Sequence, residues 1–473
     1  MTGSSGDVHA APPTAPAEDI EDFALGDDYA LNPAFVEMVV DAADRGDTAR
    51  LRELVTALRV EDVADLMGFL SADYREEIIP LISPEDLAEI IAELDTNLRE
   101  EVLESVTPAA LAQALGELDS DDAADVIDDM EDAQRDQVLA AMSDVDRAAI
   151  ETTLAYEDET AGRLMQREVL AAPQFWTVGQ SIDHIRGGGD DLPELFFDIY
   201  VIDPTFKPVG AVAISRLLRS PRETLLSAIM EEVTEIPVDM DQEEVAYIFD
   251  KYHLISAPVI ETGGRLVGQI TVDDIVGVIH EESHEDILAL AGVSDTGRDA
   301  RIIDIVKSRL PWLILNLATE TVAVSVIGAF QAEIAKLVTL AIIMPIVASL
   351  GGNAGTQTLA VAVRALASRE LNASNALRII SREMIVGLVH GATLAVVMAI
   401  AVYFLFRDPW LCLTIGLALI INLFVASLAG ILAPLALEKF GRDPAVSSSV
   451  FVTFVTDFVG FASFLGLAAL ILV

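Results

Sequence analysis

One acidic residue lies inside an apolar run that otherwise carries no charge. Asp457 is the only charged side chain between Ala445 and Val473, and Thr453 precedes it by about one helical turn. A carboxylate at the centre of a membrane-spanning helix costs about 2.5–3.5 kcal/mol on insertion scales, so such residues normally face a polar path. Asp457 is therefore a candidate ligand for a cation that crosses a membrane. The alternative is a structural aspartate that is hydrogen-bonded to the Thr453 hydroxyl.

A glycine-rich segment lies inside a second apolar run. The sequence Gly351-Gly-Asn-Ala-Gly355 favours a break in the helix, and irregular backbone at membrane depth is tolerated only where it is buried or lines water. We expect freed carbonyl oxygens there, together with the side chains of Asn353 and Gln357, to contact the water shell of an ion. Close helix packing through small residues is the alternative. It accounts equally well for Asn353 and is favoured for Gly351 and Gly355.

A third pattern, His280-Glu-Glu-Ser-His284, has the H-E-x-x-H spacing that binds zinc in metalloproteases when it lies on a helix. The segment is acidic and lies outside every apolar run. No downstream N-x-x-P or D-G-type segment supplies a third metal ligand. A membrane zinc metalloprotease therefore remains an alternative, and the expectation is that the chain is not an enzyme.

Five apolar segments are long enough to cross a bilayer, which takes about 20 residues. They are Trp312–Phe330, Ile334–Leu359, Met384–Phe406, Trp410–Leu437 and Ala445–Val473. Lys and Arg cluster before the first segment, between the second and third, and between the fourth and fifth. Because positively charged loops stay in the cytoplasm, we predict a five-span protein of the cell membrane. Its N-terminus is expected in the cytoplasm and its C-terminus outside.

Charge divides the 473 residues into two parts. The net charge is −47 although 52% of the residues are hydrophobic. Residues 301–473 contain 11 Lys and Arg against 9 Asp and Glu, whereas residues 1–300 contain 18 against 67 and carry −49. Such an acidic balance argues against nucleic acid as a partner. The single cysteine, Cys412, excludes an intrachain disulfide and a multi-thiolate metal site. No apolar stretch in residues 1–22 fits a signal peptide, so the acidic part is expected in the cytosol.

An internal repeat follows residues 1–22, whose Pro, Ala, Gly and Ser content predicts a disordered tail. The segments Val60–Ile82, Ser83–Val106 and Thr107–Met130 align at a spacing of 23 to 24 residues. Each begins with a capping residue or acid and shows apolar positions at helical spacing, a break and a second short helix. Such repeats predict stacked helix pairs with a continuous core, an acidic α-solenoid over residues 23–160. A plain acidic helical bundle is the alternative.

The periodicity changes from about Gln166 to short strands that alternate with helices. In the better-preserved half we predict strands at Ile236–Val238, Ser256–Ile260 and Leu266–Thr271, and a helix at Asp241–Tyr252. A weaker copy upstream has predicted strands at Phe197–Ile202 and Val209–Ile214 and a turn at Pro204–Lys207.

This two-copy β-α-β-β-α pattern resembles a tandem cystathionine-β-synthase (CBS) pair, here over residues 161–280. The resemblance implies a possible site for ATP or another adenine nucleotide in the cleft between the copies. The ribose-binding aspartate of such pairs follows a G-x-[IV]-[ST]-x-x-D pattern, which Gly268–Asp274 matches. Thr271 and Asp274 are therefore candidate nucleotide-binding residues. In the first copy Arg216 replaces the aspartate.

The whole chain from about residue 30 resembles the MgtE family of magnesium channels and transporters in the order of its parts and in its motifs. The matching motifs are Tyr156–Met165 (YEDETAGRLM), Pro345 with Gly351–Gln357 (GGNAGTQ), Arg382–Gly387 (REMIVG), Asp443–Ala445 (DPA) and Thr453–Gly460 (TFVTDFVG). Two positions depart from the family: Val450 replaces a common proline, and Gly277 replaces a frequent acid.

This resemblance implies a homodimer in the lipid bilayer with the Mg²⁺ path along the dimer axis. It also implies a connecting helix over residues 281–309, a five-helix pore domain over residues 310–473, and cytosolic domains that close the pore when Mg²⁺ is plentiful. The pore residues would be Asp457, Thr453, Asn353 and Gln357. The cytosolic sensor would consist of Asp274, Glu282, Glu285 and Asp286, with Asp125 and Asp129 as partners on the solenoid. For each single acid a solvated helix face is the alternative.

The chemistry of Mg²⁺ agrees with a small set of well-spaced oxygen ligands, because this ion takes octahedral oxygen coordination and loses water reluctantly. A twofold axis would bring two copies of Asp457 to one ion. Glu320 and Glu383 are either acids at the pore entrance or helix-cap and dipole partners, and Glu383 fits the dipole role. A third alternative is a membrane-tethered nucleotide sensor, whose spans only anchor and dimerise it. Oxygen ligands alone do not discriminate Mg²⁺ from Co²⁺, Ni²⁺ or Mn²⁺.

Overall fold

The structure, a computed structural model of the chain, describes residues 20, 23–26, 29–188, 192–193, 195–293, 302–371, 375–440, 443–445 and 448–472. The tail predicted at residues 1–22 lies outside the described residues except for Ile20. The chain forms two compact units, Met1–Ile279 and His280–Val473.

Short helices in consecutive pairs build the first part of the N-terminal unit. They are α1 Pro33–Asp44, α2 Thr48–Val55, α3 Val60–Phe69, α4 Ala72–Ile78, α5 Pro84–Glu93, α6 Thr96–Ser105, α7 Pro108–Leu115, α8 Ser120–Asp128, α9 Asp132–Ala141 and α10 Asp144–Thr153. The Ser83 and Thr107 side chains accept hydrogen bonds from backbone N–H groups at the starts of α5 and α7, which fixes where these helices begin. Each predicted repeat is one helix pair, and a single apolar core extends from Ile20 to Ile150.

Two small α/β modules complete this unit, after the short helix α11 Ala161–Leu164. The first contains β1 Ala171–Pro173, α12 Val178–Gly187, β2 Asp198–Ile202, β3 Pro208–Ala213 and α13 Ile214–Arg219. The second contains β4 Ile236–Pro237, α14 Gln242–Tyr252, β5 Ser256–Ile260, β6 Leu266–Thr271 and α15 Val272–Leu290. In both sheets the first strand is parallel to the second and the second is antiparallel to the third. The predicted duplication is confirmed, with strand ends within two residues of the expected ones.

Five long helices of the C-terminal unit are apolar enough to cross a membrane. They are α16 Ile302–Ala329, α18 Thr339–Ala367, α19 Ala376–Phe406, α20 Pro409–Lys439 and α21 Ser448–Ile471; the short α17 Gln331–Lys336 follows α16. Helix α20 is the most buried and packs against α18, α19 and α21, whereas α16 packs mainly against α21. The chain is therefore a multi-pass membrane protein with the five spans that the sequence predicts.

The predicted break in the second span is wrong. Helix α18 runs without interruption through Gly351–Gly355, so no backbone carbonyls are freed there. The glycines instead permit close packing: a Cβ on Gly351 would lie 2.2 Å from Asn422 Nδ2, and one on Gly355 would lie 2.5 Å from Val452 Cγ1. A continuous helix satisfies its backbone groups internally, which the bilayer demands, and small residues let neighbouring helices approach. The packing interpretation of these two glycines is confirmed.

Candidate functional site

The intramembrane acid Asp457 lies on α21, one turn after Thr453. Its carboxyl group lies near the Glu320 carboxyl of α16, close enough for the two charges to interact. The described residues show no hydrogen bond between the Thr453 hydroxyl and Asp457. Glu320 and Thr453 line a cavity of about 280 Å³, whose other polar lining residues are Asn316 and Thr319. The structure thus brings together Asp457, Thr453 and a second acid.

The other two predicted pore residues lie on a different helix. Asn353 and Gln357 occupy one exposed face of α18, one turn apart. Helix α18 packs against α21 on a neighbouring face, where a Cβ on Gly352 would lie 4.0 Å from Thr456 Oγ1. Among the described residues, these two amides make no hydrogen bond to Asp457. A shared ion path therefore depends on a second copy or on bridging water.

The acidic helix α8 provides a cluster of carboxylates in the N-terminal unit. Asp121 is only 7% exposed, and its Oδ1 has no hydrogen-bond partner. Burial, and then the charges of Asp274 and Asp122, raise the pKa of Asp121 well above its usual range. Desolvation, with Asp119 and Asp125 nearby, raises the pKa of Asp122 to about 6. Three carboxylates from two segments, those of Asp121, Asp122 and Asp274, thus repel one another at close range.

Asp274 is the member of this cluster that the sequence singled out. Burial raises its pKa to about 7, although Thr271 Oγ1 donates a 2.8 Å hydrogen bond to its Oδ2. The carboxyl groups of Asp125 and Asp129 also have raised pKa values, because desolvation outweighs nearby arginines. Asp129 is already paired, since Arg99 Nη1 lies 2.8 Å from its Oδ2. Asp125 therefore belongs to the cluster, while Asp129 has a cationic partner within the chain.

Carboxylates are hard oxygen ligands, and a group of them that repel one another suits a divalent cation such as Mg²⁺. Within this one chain, however, the described residues contain no group of three or more His, Cys, Asp or Glu side chains arranged to hold a metal ion. The sequence analysis missed Asp121 and Asp122. The signal was present, because Asp121 and Asp125 are four residues apart on one helix and share a face.

The second half of α15 carries the remaining sensor candidates. Burial raises the pKa of Asp286, and the charges of Asp443 and Glu285 add to the effect. Glu282 and Glu285 lie on the same helical segment, as do the exposed His280 and His284 of the zinc-protease pattern.

The end of α15 packs against the helices of the C-terminal unit. Ala289 and Leu290 join an apolar cluster with Leu359 and Val363 of α18 and Val452 of α21. Val452 directly precedes Thr453. The connecting segment thus lies against the two helices that carry the predicted pore residues.

Comparison with known proteins matches three segments of the chain to family models. Residues 344–467 match the family model described as a divalent cation transporter, residues 58–159 match the MgtE intracellular N domain, and residues 226–281 match the CBS domain. The magnesium transporter MgtE of Enterococcus faecalis is 34% identical over 322 residues, 68% of this chain and 71% of that protein. The magnesium transporter MgtE of Thermus thermophilus is 32% identical over 330 residues, 69% of this chain and 73% of that protein.

The chain belongs to the MgtE family of magnesium transporters. Membership of a transporter family agrees with the expectation of a non-enzymatic function, and the comparisons support neither the zinc protease nor the tethered sensor. Two solved structures are each similar to about half of this MgtE-family chain. The soluble part of a magnesium transporter covers 53% of this chain at 26% identity and a TM-score of 0.48. The cytosolic domain of the Mg²⁺ channel MgtE in complex with ATP covers 51% at 30% identity and a TM-score of 0.49.

A cavity of about 760 Å³ in this MgtE-family chain lies against β3 and α13 of the first module. Its charged lining residues include Asp198, Arg216, Arg219 and Glu231. Arg216 pairs with Glu231. The buried Tyr200 hydroxyl donates to Ser256 Oγ at 2.8 Å, and Ser256 Oγ donates to Asp198 Oδ2 at 3.0 Å. The predicted nucleotide residues Thr271 and Asp274 do not line this cavity. Their side chains are hydrogen-bonded to each other.

One functional candidate in the membrane had no counterpart in the sequence analysis. Asn422 of α20 is fully buried between Gly351 and Gly460, and its Oδ1 has no hydrogen-bond partner. The sequence feature that could have identified Asn422 is its position as a single amide in the middle of the fourth apolar run.

Proposed function

We propose that the chain carries Mg²⁺ into the cell as a homodimer whose path is lined by Asp457, Thr453, Asn353 and Gln357. The observation that carries this proposal is Asp457, an acid inside a membrane helix that lies within the matched transporter region and beside a polar cavity. Because Mg²⁺ gives up water reluctantly, carboxylate and amide oxygens spaced along a path can hold the ion through its water shell. The proposed orientation has the N-terminus in the cytoplasm, following the basic loops.

The domains proposed for this function are the acidic solenoid over residues 23–160, the CBS pair over 161–280, the connecting helix over 281–309 and the pore domain over 310–473. Helix α15 spans the boundary between the CBS pair and the connecting helix, since it begins at Val272 in the second module and ends at Leu290.

Closure of the pore would be controlled by repulsion among the acidic side chains of the N-terminal unit. Two carboxylates about 6 Å apart repel by about 3 kcal/mol at an effective dielectric constant near 20. Asp121, Asp122 and Asp125 on α8 therefore oppose docking against Asp274 until a divalent cation neutralises them. A bound cation would hold α8 against the second module, and α15 would transmit the closed state to the pore. Glu282, Glu285 and Asp286 would bind further ions along the same helix.

A nucleotide is proposed as a second regulator at the CBS pair. The cavity of about 760 Å³ falls within the range of small-molecule sites. Asp198, oriented by Ser256, supplies an acceptor for ribose hydroxyls, while Arg216 and Arg219 supply phosphate partners. Binding of a fluorescent ATP analogue should weaken in the Asp198→Asn variant and stay unchanged in Asp274→Asn if this cavity is the site. The reverse result would place the nucleotide at Thr271 and Asp274.

Ion flux tests the transport proposal directly. Purified protein in liposomes loaded with a Mg²⁺-sensitive dye should produce a signal when Mg²⁺ is added outside. Empty liposomes and protein with Asp457→Asn are the controls. If the intact protein shows no Mg²⁺ flux, whether the liposomes contain a chelator or Mg²⁺, the result would favour the membrane-tethered nucleotide sensor.

A further inference from the structure

A second acid lies inside the membrane domain. This residue, Glu320, is not among the proposed path residues. It lies on α16, and its side chain is exposed in the single chain. Glu320 is 18 residues from the start of α16 at Ile302 and nine from its end at Ala329. Favourable interactions with the helix dipole are confined to the first and last turns. The cap and dipole role considered for Glu320 from the sequence therefore does not apply.

The surroundings of Glu320 form a polar stripe on an otherwise apolar span. Asn316, Thr319 and Glu320 are spaced as i, i+3 and i+4, so they share one face of α16. All three line the cavity of about 280 Å³, which Thr453 of α21 closes from the other side. A membrane helix normally turns such a face toward protein or water, because a charged group in lipid is costly.

The second acid near Glu320 is Asp457, which does not itself line the cavity but lies one turn after Thr453 on α21. The two carboxyl groups are close enough for their charges to interact. Two ionised carboxylates near each other in a membrane repel, and no Lys or Arg is among the residues that line the cavity. A divalent cation is the simplest group that compensates both charges. Six waters of about 30 Å³ each occupy about 180 Å³, so the cavity has room for a hydrated Mg²⁺.

We infer that Glu320 is a second ion-contacting carboxylate, which acts with Asp457 to set the affinity of the intramembrane site for a divalent cation. The inference rests on the proposed transport function and deepens it: each subunit would present two acids to the path. Glu320 would contact the ion through water, because the polar stripe faces a cavity wide enough to keep the water shell.

The test is Mg²⁺ flux as a function of Mg²⁺ concentration for the full chain in liposomes. Glu320→Gln keeps the size and hydrogen-bonding groups of the side chain, and loss of a charge eases insertion. We expect the concentration for half-maximal flux to rise by about tenfold or more, in line with the loss when a supporting group at a metal site is removed. Maximal flux should change less. Glu320→Asp should restore most of the affinity.

Glu333→Gln is the matched control, because Glu333 lies on the neighbouring helix α17 and does not line the cavity. It should behave like the unmodified protein. Equal half-saturation for Glu320→Gln and the unmodified protein would overturn the inference while leaving the transport function intact. A Glu320→Gln change that lowers only the amount of folded protein, with unaltered half-saturation, would overturn it as well. Failure of the unmodified protein to conduct Mg²⁺ would instead contradict the proposed function.

Discussion

Asn422 of α20 donates a hydrogen bond from its Nδ2 to the backbone carbonyl oxygen of Val347 on α18, at 2.9 Å. The amide is fully buried and lies directly over Gly351 of the next turn. The Val347 carbonyl oxygen has a second lone pair beyond its helical hydrogen bond. By accepting from Asn422 with this lone pair, it holds α18 against α20. This contact explains why the glycine-rich segment needs small residues rather than a broken backbone.

The first prediction compares two adjacent glycines. Gly351→Ala should destabilise the membrane domain by about 1–3 kcal/mol, the usual cost of overpacking, because the new Cβ would lie 2.2 Å from Asn422 Nδ2. Gly352→Ala is the matched control, since its Cβ would meet only Thr456 Oγ1 at 4.0 Å. Thermal unfolding in detergent should show a lower midpoint for Gly351→Ala alone. Equal midpoints would mean that Asn422 moves aside without loss.

The sequence predicted the positions of the helices and membrane spans far better than the contacts between them. Periodicity identified the helix pairs around Ser83 and Thr107, because caps and apolar spacing are local properties. The five spans were equally clear, since length and apolar composition decide them. The glycine segment was misread because glycine serves both broken and tightly packed helices, and only the neighbour Asn422 distinguishes the two.

The same holds for the candidate sites: the sequence identifies single residues, but which residues lie near each other depends on how the helices pack. Asp457 was identifiable alone, as a charge in an apolar run. Its proximity to Glu320 depends on how α16 packs on α21, across more than 130 residues of sequence. Asp121 was hidden among many acids, and only its burial near Asp274 separates it from solvated neighbours.

The second prediction concerns pH. When α8 is docked, burial and neighbouring charges across the contact raise the pKa of Asp274 to about 7 and that of Asp121 well above its usual range, from a usual value near 3.9. The docked state therefore binds more protons than the undocked one, and its stability falls as pH rises from about 4 through 7. In chelator, hydrogen exchange of residues 120–128 should be faster at pH 8 than at pH 5.5, after correction for intrinsic rates.

Added Mg²⁺ should slow this exchange most at pH 8, where the carboxylates are ionised. Asp122→Asn should reduce the pH effect, whereas Asp136→Asn on the exposed side of α9 should leave it unchanged. Exchange that does not depend on pH in the unmodified protein would contradict the proposed role of the cluster.

The third prediction tests the sensor. Asp274, Glu285 and Asp286 changed together to Ala should leave transport active at high internal Mg²⁺, because the closed state loses its bound ions. Each occupied site stabilises the closed form by about 1.4 kcal/mol at ten times its dissociation constant. Mg²⁺ flux from liposomes with high internal Mg²⁺ is the measurement.

A second triple variant controls for the loss of charge. Its changed residues are exposed acids of the solenoid, Asp132, Asp136 and Asp144. This variant should still close at high internal Mg²⁺. Closure of the Asp274, Glu285 and Asp286 variant at the same concentration as the unmodified protein would exclude these acids from gating.

The last prediction concerns Asp457 itself. Asp457→Asn keeps shape and hydrogen bonding but removes the charge that attracts a divalent ion, so Mg²⁺ uptake should be lost. Insertion should not suffer, because a charge at the bilayer centre costs about 2.5–3.5 kcal/mol. Uptake in cells that require supplied Mg²⁺, with surface expression measured in parallel, separates transport from folding, and Glu333→Gln should support growth normally. If Asp457→Asn conducts Mg²⁺ like the unmodified protein, Asp457 is structural, and its contact with Glu320 is a hydrogen bond between helices instead of an ion site.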